Sequence, residues 1–154
     1  MIKPGKPVPD LRGETTSGKL RLRDLRGGFV VVYFYPKDNT SGCTREAQDF
    51  RDLATKFSRH KATILGVSRD SLVSHEKFRD KLGLTFDLLS DPDETWCKAF
   101  DVIHEKVLYG KRHLGIVRST FLVGPDGRLV REWRKVKVPD HAAEVLAAVI
   151  DASA

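Results

Sequence analysis

The chain has 154 residues, of which 40% are hydrophobic and 31% charged, a composition typical of a globular protein with one sizeable core. It contains no apolar run of the roughly 20 residues that span a bilayer, and its first ten residues show no apolar stretch typical of a secretory signal. Two cysteines are too few for a disulfide scaffold. We therefore expect one domain over residues 1–154, in the cytoplasm and without a membrane partner.

The net charge of +6 raises the question of a nucleic-acid partner. The basic residues are scattered among aspartates and glutamates. The densest basic stretch, Lys106–His113, contains one tyrosine and no pattern of stacking aromatic residues. A solvated surface explains this distribution better, so we expect no nucleic-acid binding.

The first part of the chain predicts an edge hairpin. Residues 3–10 are rich in proline and should be irregular. Leu11–Thr16 and Lys19–Leu22 flank the turn dipeptide Ser17-Gly18, a pattern typical of two short antiparallel strands. We expect this pair to form a small N-terminal extension of the main sheet.

The next stretch joins a buried strand to a helix. Phe29–Tyr35 is an unbroken β-branched and aromatic run, typical of a strand buried on both faces. A polar loop follows over Pro36–Gly42, and a helical apolar period begins at Cys43 or Thr44. Cys43 is therefore either a buried structural cysteine or a reactive one, because free N–H groups at a helix N-terminus favour the nucleophilic thiolate. The apolar positions of this helix are Ala47, Phe50, Leu53, Ala54 and Phe57.

A second strand and a second helix follow. Ala62–Ser68 is another apolar run, and strand, helix and strand at this spacing predict a right-handed βαβ unit with parallel strands. Asp70 or Ser71 can cap the next helix, which should end at Gly83. The inward positions of this helix are His75, Phe78 and Leu82.

Between residues 86 and 117 the pattern is weaker. Phe86–Leu89 predicts a short strand. Asp91-Pro92-Asp93-Glu94 resembles a capping box with proline at the first helical position, so a helix should begin there. Val102–Val117 is mixed in character and predicts a long surface connection. The predicted helix carries Trp96, Cys97 and Phe100.

The C-terminal part predicts a hairpin and a closing helix. Thr120–Val123 and Arg128–Trp133 flank Gly124-Pro125-Asp126-Gly127, a strong turn signal, and Pro139-Asp140 starts the helix. The complete order predicts an α/β protein with a thioredoxin-like fold, in which helices flank a central mixed β-sheet that an N-terminal β-hairpin extends. The inner face of the closing helix comprises Ala142, Val145, Leu146, Val149 and Ile150.

The spacing of the cysteines limits the chemistry of Cys43. A dithiol exchange protein needs the pattern C-x-x-C, but Glu46 occupies the position of the second thiol. Cys43 and Cys97 stand apart in the sequence, and none of the five histidines has metal-ligand spacing with them. We therefore expect neither a metal nor a cofactor.

The loop before Cys43 carries an informative pattern. Pro36, Thr40 and Cys43 form P-x-x-x-T-x-x-C, which strongly resembles the active-site signature of the peroxiredoxins. The longer string Tyr33–Arg51 is similar to the peroxiredoxin Q subfamily, also called bacterioferritin comigratory protein. Further strings that resemble this subfamily lie at residues 5–11, 68–91 and 118–133.

The resemblance implies a role for each of five residues. Cys43 would be the peroxidatic cysteine, whose thiolate attacks the O–O bond of hydrogen peroxide or an organic hydroperoxide and becomes a sulfenic acid. Thr40 would donate a hydrogen bond to the thiolate and the peroxide, and Pro36 would shield the pocket. Arg118 would reach the thiolate from a strand, and Glu46 would hold that arginine in place.

The chain lacks the resolving cysteines that many members of this subfamily carry. Gln48 and Arg79 occupy the two positions, and Cys97 is the other cysteine of the chain. We favour a one-cysteine peroxidase whose Cys43 sulfenic acid is reduced by an external thiol, either a thioredoxin-type protein or a small-molecule thiol. The alternative is a Cys43–Cys97 disulfide formed after local unfolding, for which the two Cα atoms must come within about 7 Å.

Two other functions would use the same residues differently. A redox sensor or thiol–disulfide exchange protein would pass the oxidation of Cys43 to a partner instead of removing peroxide. A non-catalytic thioredoxin-like binding domain would use its positive surface to meet an acidic partner. The joint presence of Pro36, Thr40, Cys43 and Arg118 argues against the binding domain. The sequence does not separate a peroxidase from a sensor, since both form the same sulfenic acid. The subfamily resemblance implies a monomer.

Overall fold

The computed structural model describes residues 2–154, which form nine β-strands and four α-helices. The strands are β1 (Arg12–Thr15), β2 (Gly18–Arg21), β3 (Phe29–Phe34), β4 (Ala62–Ser68), β5 (Asp87–Ser90), β6 (Ile103–Leu108), β7 (Lys111–Ile116), β8 (Ser119–Val123) and β9 (Leu129–Arg134). The helices are α1 (Ser41–Arg59), α2 (Leu72–Leu82), α3 (Thr95–Ala99) and α4 (His141–Ser153). None of these helices is both long enough and apolar enough to cross a bilayer.

Seven strands form one mixed sheet in the order β2-β1-β5-β4-β3-β8-β9. β3, β4 and β5 are parallel because α1 and α2 carry the chain back to the same edge, and the other neighbours are antiparallel. The hairpin of β1 and β2 pairs with β5. The predicted α/β class, the central mixed sheet and the N-terminal hairpin are confirmed. β6 and β7 form a separate two-stranded ribbon.

β3 divides the core into two halves because its side chains alternate between the two faces of the sheet. Tyr33 lies in the half that is covered by α1, α2 and α4. Phe34 lies in the half that is covered by α3. Cys43 belongs to the first half and Cys97 to the second, so the two thiols lie on opposite sides of the sheet.

Several predicted boundaries are confirmed. Ser71 caps α2 by accepting a hydrogen bond from the Ser74 N–H at 3.2 Å, and Gly83 ends the helix with a left-handed backbone. Gly127 turns the chain between β8 and β9 with a φ of 81°. Ile150, predicted on the inner face of α4, is 42% exposed because it lies at the margin of the apolar stripe.

α1 begins at Ser41, two residues before the earlier of its two predicted starts, Cys43 and Thr44. Thr40 is the last residue with extended backbone, and its carbonyl accepts the Thr44 N–H at 2.9 Å. Ser41 and Gly42 carry no apolar signal, so the apolar period marks where burial begins and not where the helix begins. Cys43 consequently lies inside the first turn of α1.

The predicted capping box of α3 is wrong. The helix begins at Thr95, and Glu94 precedes it with a left-handed backbone of φ 61°. Asp91 instead accepts the N–H groups of Trp96 and Cys97 with its two carboxylate oxygens, at 3.1 and 2.9 Å. One buried carboxylate therefore satisfies the free N–H groups of this short helix from several residues upstream.

The prediction of a long surface connection over Val102–Val117 is also wrong. β6 and β7 pair antiparallel along their full length. Tyr109 and Gly110 turn the chain between them with φ values of 51° and 75°, as type I′ hairpin turns require. Most side chains of both strands are exposed, so the apolar–polar alternation that indicates a half-buried strand is missing from the sequence.

Candidate active site

Cys43 lies where the central strand passes into α1. β3 delivers the chain to the edge of the sheet, the loop of residues 35–40 turns it, and α1 begins two residues before the cysteine. The Cys43 side chain belongs to the core and the residue is only 1% exposed. Its position in the first turn brings the thiol close to free N–H groups and to the positive end of the helix dipole.

Arg118 reaches Cys43 from the segment between β7 and β8. One guanidinium nitrogen, Nη2, donates a hydrogen bond to Cys43 Sγ at 3.2 Å, and the other, Nη1, donates to Glu46 Oε1 at 2.5 Å. Burial lowers the pKa of Arg118, but the nearby Glu46 and Cys43 outweigh this effect and raise the pKa above its ordinary value. The guanidinium therefore places a permanent positive charge against the thiol.

Gly42 makes room for this contact. A Cβ atom on Gly42 would stand 3.2 Å from Arg118 Nη2, which is tighter than an ordinary carbon–nitrogen contact. A side chain at this position would require the guanidinium to move by a few tenths of an ångström, so glycine lets the helix and Arg118 approach without adjustment.

Glu46 lies one turn further along α1 and is 1% exposed. Burial raises the pKa of its carboxyl to about 7, against the opposing effect of Arg118. Oε1 accepts from Arg118, whereas Oε2 is buried without a hydrogen-bond partner. Of the five residues predicted from the sequence, Cys43, Arg118 and Glu46 are thus in direct contact as one chain of hydrogen bonds.

Thr40 and Pro36 lie in the same loop but make no such contact. Thr40 is exposed, and its hydroxyl donates to the Lys37 carbonyl at 2.9 Å. No hydrogen bond joins this hydroxyl to Cys43 in the part of the chain that the structure describes. Pro36 is half-buried at the start of the loop.

A buried polar network anchors the loop, and sequence reasoning did not find it. Asp38 Oδ1 accepts the Tyr35 hydroxyl at 2.6 Å, and Oδ2 accepts the Ser74 hydroxyl and lies 2.8 Å from His75 Nδ1. The other imidazole nitrogen, Nε2, donates to the Leu89 carbonyl at 3.0 Å. Burial raises the pKa of Asp38, but the hydrogen bonds from His75 and Tyr35 outweigh it and hold the pKa below its usual value. Both ring nitrogens of His75 thus face oxygen atoms, which fixes the imidazole between the loop and β5.

The network extends to the start of α2. The Asp38 N–H donates to Asp70 Oδ2 at 2.9 Å, and the Ser68 hydroxyl donates to the same oxygen. Asp38, Asp70 and His75 offer ligand atoms within 4.8 Å of one another, a spacing that could hold a metal ion. Each of these groups already has protein hydrogen-bond partners, so we interpret the cluster as the anchor of the loop. Its sequence signals, a loop aspartate and an inward histidine 37 residues later, do not indicate that they pair.

Cys97 lies far from this site in the architecture of the fold. It is buried in the half of the core under α3, and its N–H donates to Asp91. Burial and then the neighbouring Asp91 raise the pKa of its thiol well above the ordinary value. Cys97 therefore has the environment of an apolar core residue and not of a reactive thiol.

Comparison with known proteins now becomes informative. The family model described as "AhpC/TSA family" matches residues 4–132. The chain belongs to this family. Peroxiredoxin Bcp of Xanthomonas campestris pv. campestris is 57% identical over 128 residues, which are 83% of this chain and 80% of the relative. Peroxiredoxin Bcp of Bacillus subtilis is 48% identical over 153 residues, 99% of this chain and 98% of the relative.

Solved structures agree with the sequence relatives. The Xanthomonas campestris bacterioferritin comigratory protein, studied for alkyl peroxide reduction, superposes with a TM-score of 0.92 at 48% identity over 100% of this chain and 99% of that one. A mutant of PrxQ from Xylella fastidiosa superposes with a TM-score of 0.94 at 43% identity, with the same coverage. The chain is therefore a thioredoxin-fold peroxiredoxin of the Q subfamily and a thiol-dependent peroxidase, as the resemblance implied. A non-catalytic binding domain is not supported.

Proposed function

We propose that Cys43 is the peroxidatic cysteine of a one-cysteine peroxidase that reduces hydrogen peroxide and organic hydroperoxides. The observation that carries this proposal is the hydrogen bond from Arg118 to Cys43 Sγ in the first turn of α1. The thiolate attacks one peroxide oxygen, the sulfur supplies two electrons, and the O–O bond breaks. The leaving oxide takes a proton and departs as water or an alcohol, and Cys43 remains as a sulfenic acid.

Ionisation of the thiol is only part of the rate enhancement. A thiol with the ordinary pKa of ~8.5 is about 3% ionised at pH 7, so complete ionisation gains roughly 30-fold. Enzymes typically accelerate reactions by about 10⁶-fold or more. The remainder requires donors aimed at the peroxide oxygens, which gain negative charge as the bond breaks.

We assign these donors to Arg118 and Thr40. Arg118 already lies against the sulfur and is 16% exposed, so its guanidinium can reach a bound peroxide. Thr40 precedes Cys43 by three residues, and its hydroxyl turns from the Lys37 carbonyl to the peroxide. Pro36 shields the pocket from the side of β3, and Glu46 holds the guanidinium in line.

The sulfenic acid requires an external thiol in this proposal. Gln48 and Arg79 replace the resolving cysteines of the subfamily, and Cys97 lies in the opposite half of the core. A thioredoxin-type protein or a small-molecule thiol would form a mixed disulfide with Cys43, which a second thiol then reduces. We place this cycle in the cytoplasm, where such thiols are kept reduced, and we expect the protein to act as a monomer.

Peptide mapping after one equivalent of hydrogen peroxide tests the cysteine mechanism. We expect a sulfenic acid at Cys43 that dimedone traps, with the same yield in the unsubstituted protein and in a Cys97→Ser variant. Intact mass under non-reducing conditions measures both species. A major Cys43–Cys97 disulfide would contradict the one-cysteine mechanism, and an unreactive Cys43 would contradict its role as the peroxidatic residue.

A further inference from the structure

The hairpin of β6 and β7 exposes an unusual share of apolar side chains. Seven large apolar side chains are exposed in the described part of the chain, and four of them belong to this hairpin. The tip residue Tyr109 is 95% exposed. Clusters of exposed apolar side chains are typical of recognition surfaces, whereas single ones are not. The four are Val107, Leu108, Tyr109 and Leu114. Leu108 and Tyr109 adjoin at the tip, whereas Val107 and Leu114 lie on the other face of the ribbon.

One face of the hairpin is basic. The strand register pairs Lys106 with His113 and Leu108 with Lys111, and alternate residues of a strand share a face. The one acidic residue of the hairpin, Glu105, lies on the other face, where it forms an ion pair with Arg112 at 3.3 Å. We define the basic face as Lys106, Leu108, Lys111 and His113.

The basic face borders the active site. Burial, followed by the charge of Arg118, lowers the pKa of Lys106, and the charge of Cys43 acts in the opposite direction. Chain geometry gives the same placement, because Arg118, which contacts Cys43 Sγ at 3.2 Å, follows the end of β7 by two residues. The base of the hairpin is fixed by the hydrogen bond from the Val117 N–H to the Val102 carbonyl at 2.8 Å, and Arg118 follows Val117 directly.

The site needs a partner that comes close. Cys43 is 1% exposed, and a disulfide forms only when the two Cα atoms lie within about 7 Å. A protein thiol must therefore be held beside the loop of residues 36–40 while it reacts. The hairpin is a neighbouring surface that combines positive charge with several exposed apolar side chains.

We propose that the basic face and Tyr109 form the docking surface for the reductant of Cys43, a dithiol protein with an acidic and partly apolar surface around its reactive thiol. The proposal rests on the external-thiol mechanism described above. The partner's first thiol attacks the sulfenic sulfur, hydroxide leaves as water after taking a proton, and a mixed disulfide forms. The partner's second thiol then attacks the partner's first sulfur, which is bonded to Cys43 in that disulfide. This step releases Cys43 as a thiolate and leaves the partner with an internal disulfide.

Two reductants separate docking from chemistry. Turnover is measured with a thioredoxin and its NADPH-dependent reductase, and in parallel with dithiothreitol, which needs no docking surface. We expect Tyr109→Ser combined with Lys111→Glu to raise the KM for thioredoxin by roughly tenfold or more. The rate with dithiothreitol and the single-turnover oxidation of Cys43 should stay within about twofold, because neither change touches the reacting atoms.

The matched control is Val130→Ser combined with Lys56→Glu, which changes one exposed apolar and one exposed basic residue elsewhere on the surface. An equal increase in the KM for thioredoxin in both double variants, or no increase in either, would overturn the proposal. The proposal would also be overturned if turnover of the unsubstituted protein were no faster with thioredoxin than with dithiothreitol. A shift from dimer to monomer on size exclusion caused by the hairpin variant would assign the surface to a second copy of the chain. Absence of sulfenic acid in the unsubstituted protein would instead overturn the peroxidase mechanism itself.

Discussion

Arg118 performs two tasks with one side chain. Its planar fork donates to Cys43 through Nη2 and to Glu46 through Nη1. A lysine has the same charge, but its single ammonium cannot donate to Cys43 and Glu46 at once with the fixed geometry of a planar guanidinium. Gly42 leaves room for this contact, since a Cβ there would stand 3.2 Å from Nη2. Arg118 and its neighbours therefore fix both the positive charge beside Cys43 and the orientation of the N–H groups that carry it.

Replacement of Arg118 separates these two contributions. We expect Arg118→Lys to lower the second-order rate constant for oxidation of Cys43 by roughly ten- to a hundredfold, because the charge remains and the fork is lost. Arg118→Met should lower it by about a hundred- to a thousandfold, since both are lost. Stopped-flow fluorescence of a single turnover with hydrogen peroxide measures these rate constants.

Arg45→Lys is the control for this series. Arg45 lies on the same helix as Cys43 but its side chain is 70% exposed and pairs with Asp49 at the surface. Such pairs contribute little, so the rate should stay unchanged. If Arg118→Lys were equally silent, the guanidinium geometry would have no part in the reaction.

At the scale of an element, the loop before α1 is held by the buried contact between Asp38 and His75. Both residues are almost completely buried, and Asp38 is also bonded to Tyr35 just after β3, to α2 and to the β4–α2 connection. We expect Asp38→Asn to lower the free energy of unfolding by about 3 kcal/mol, because an amide nitrogen in place of Oδ2 cannot accept the buried hydrogen bond from Ser74 or face His75 as an acceptor. Urea unfolding followed by circular dichroism measures this loss.

A double variant shows whether the contact with His75 causes that loss. Asp38→Ala combined with His75→Leu replaces the buried pair by apolar groups, a change that is often neutral in proteins. Most of the lost stability should return relative to Asp38→Asn. A double variant that is as unstable as the single one would mean that the hydrogen bonds to Tyr35 and Ser74, and not the contact with His75, hold the loop.

Local patterns predicted the parts of the site that lie close together in the chain. The strand, the loop and the first turn of α1 are contiguous, so residues 29–57 contain the position of Cys43 and the burial of Phe50 and Phe57. The pairing of Asp38 with His75 is long-range, and one sequence contains no signal for it. The start of α1 was misplaced because Ser41 and Gly42 are helical without being buried.

The hairpin of β6 and β7 was missed for a different reason. Strand prediction relies on alternation between a buried and an exposed face, but this ribbon packs only at its base and exposes both faces near the tip. Residues that are exposed on both faces of a ribbon need not follow the period of a core. The role of Arg118 came from resemblance alone, because an arginine between two strands has no pattern of its own.

At the scale of the whole molecule, the sheet separates the two thiols. Cys43 and Cys97 lie in different halves of the core, and β3, buried on both faces, stands between those halves. A disulfide between them would require at least one of the two cysteines to leave its half of the core. The fold therefore favours a chemistry in which the second thiol arrives from outside.

The same core contains two groups whose titrations oppose each other. Burial lowers the pKa of His141 to about 4, with a further contribution from Arg118, and burial raises the pKa of Glu46 to about 7. His141 contributes stability above its unfolded pKa of about 6.5, and this is lost as the pH falls towards 4. Glu46 contributes stability below its unfolded pKa of about 4.5, and this is lost as the pH rises through 7.

Each effect is worth about 3 kcal/mol, because each pKa differs by about 2.5 units between the two states. Between pH 4 and pH 7 the two effects nearly cancel in the unsubstituted protein. We compare the free energy of unfolding of each variant with that of the unsubstituted protein. As the pH rises from 4.5 to 7, this difference should increase by about 3 kcal/mol for Glu46→Gln. As the pH rises from 4 to 6.5, it should decrease by about 3 kcal/mol for His141→Gln. Urea unfolding at half-unit pH intervals measures both slopes.

The two slopes must have opposite signs for this account to hold. Glu46→Gln removes the carboxyl that resists ionisation, whereas His141→Gln removes the imidazole that resists protonation, and glutamine has no titration of its own. Parallel slopes would mean that another group, common to both backgrounds, dominates the pH dependence. Opposite slopes would show that the buried carboxyl beside Arg118 carries a stability cost at neutral pH.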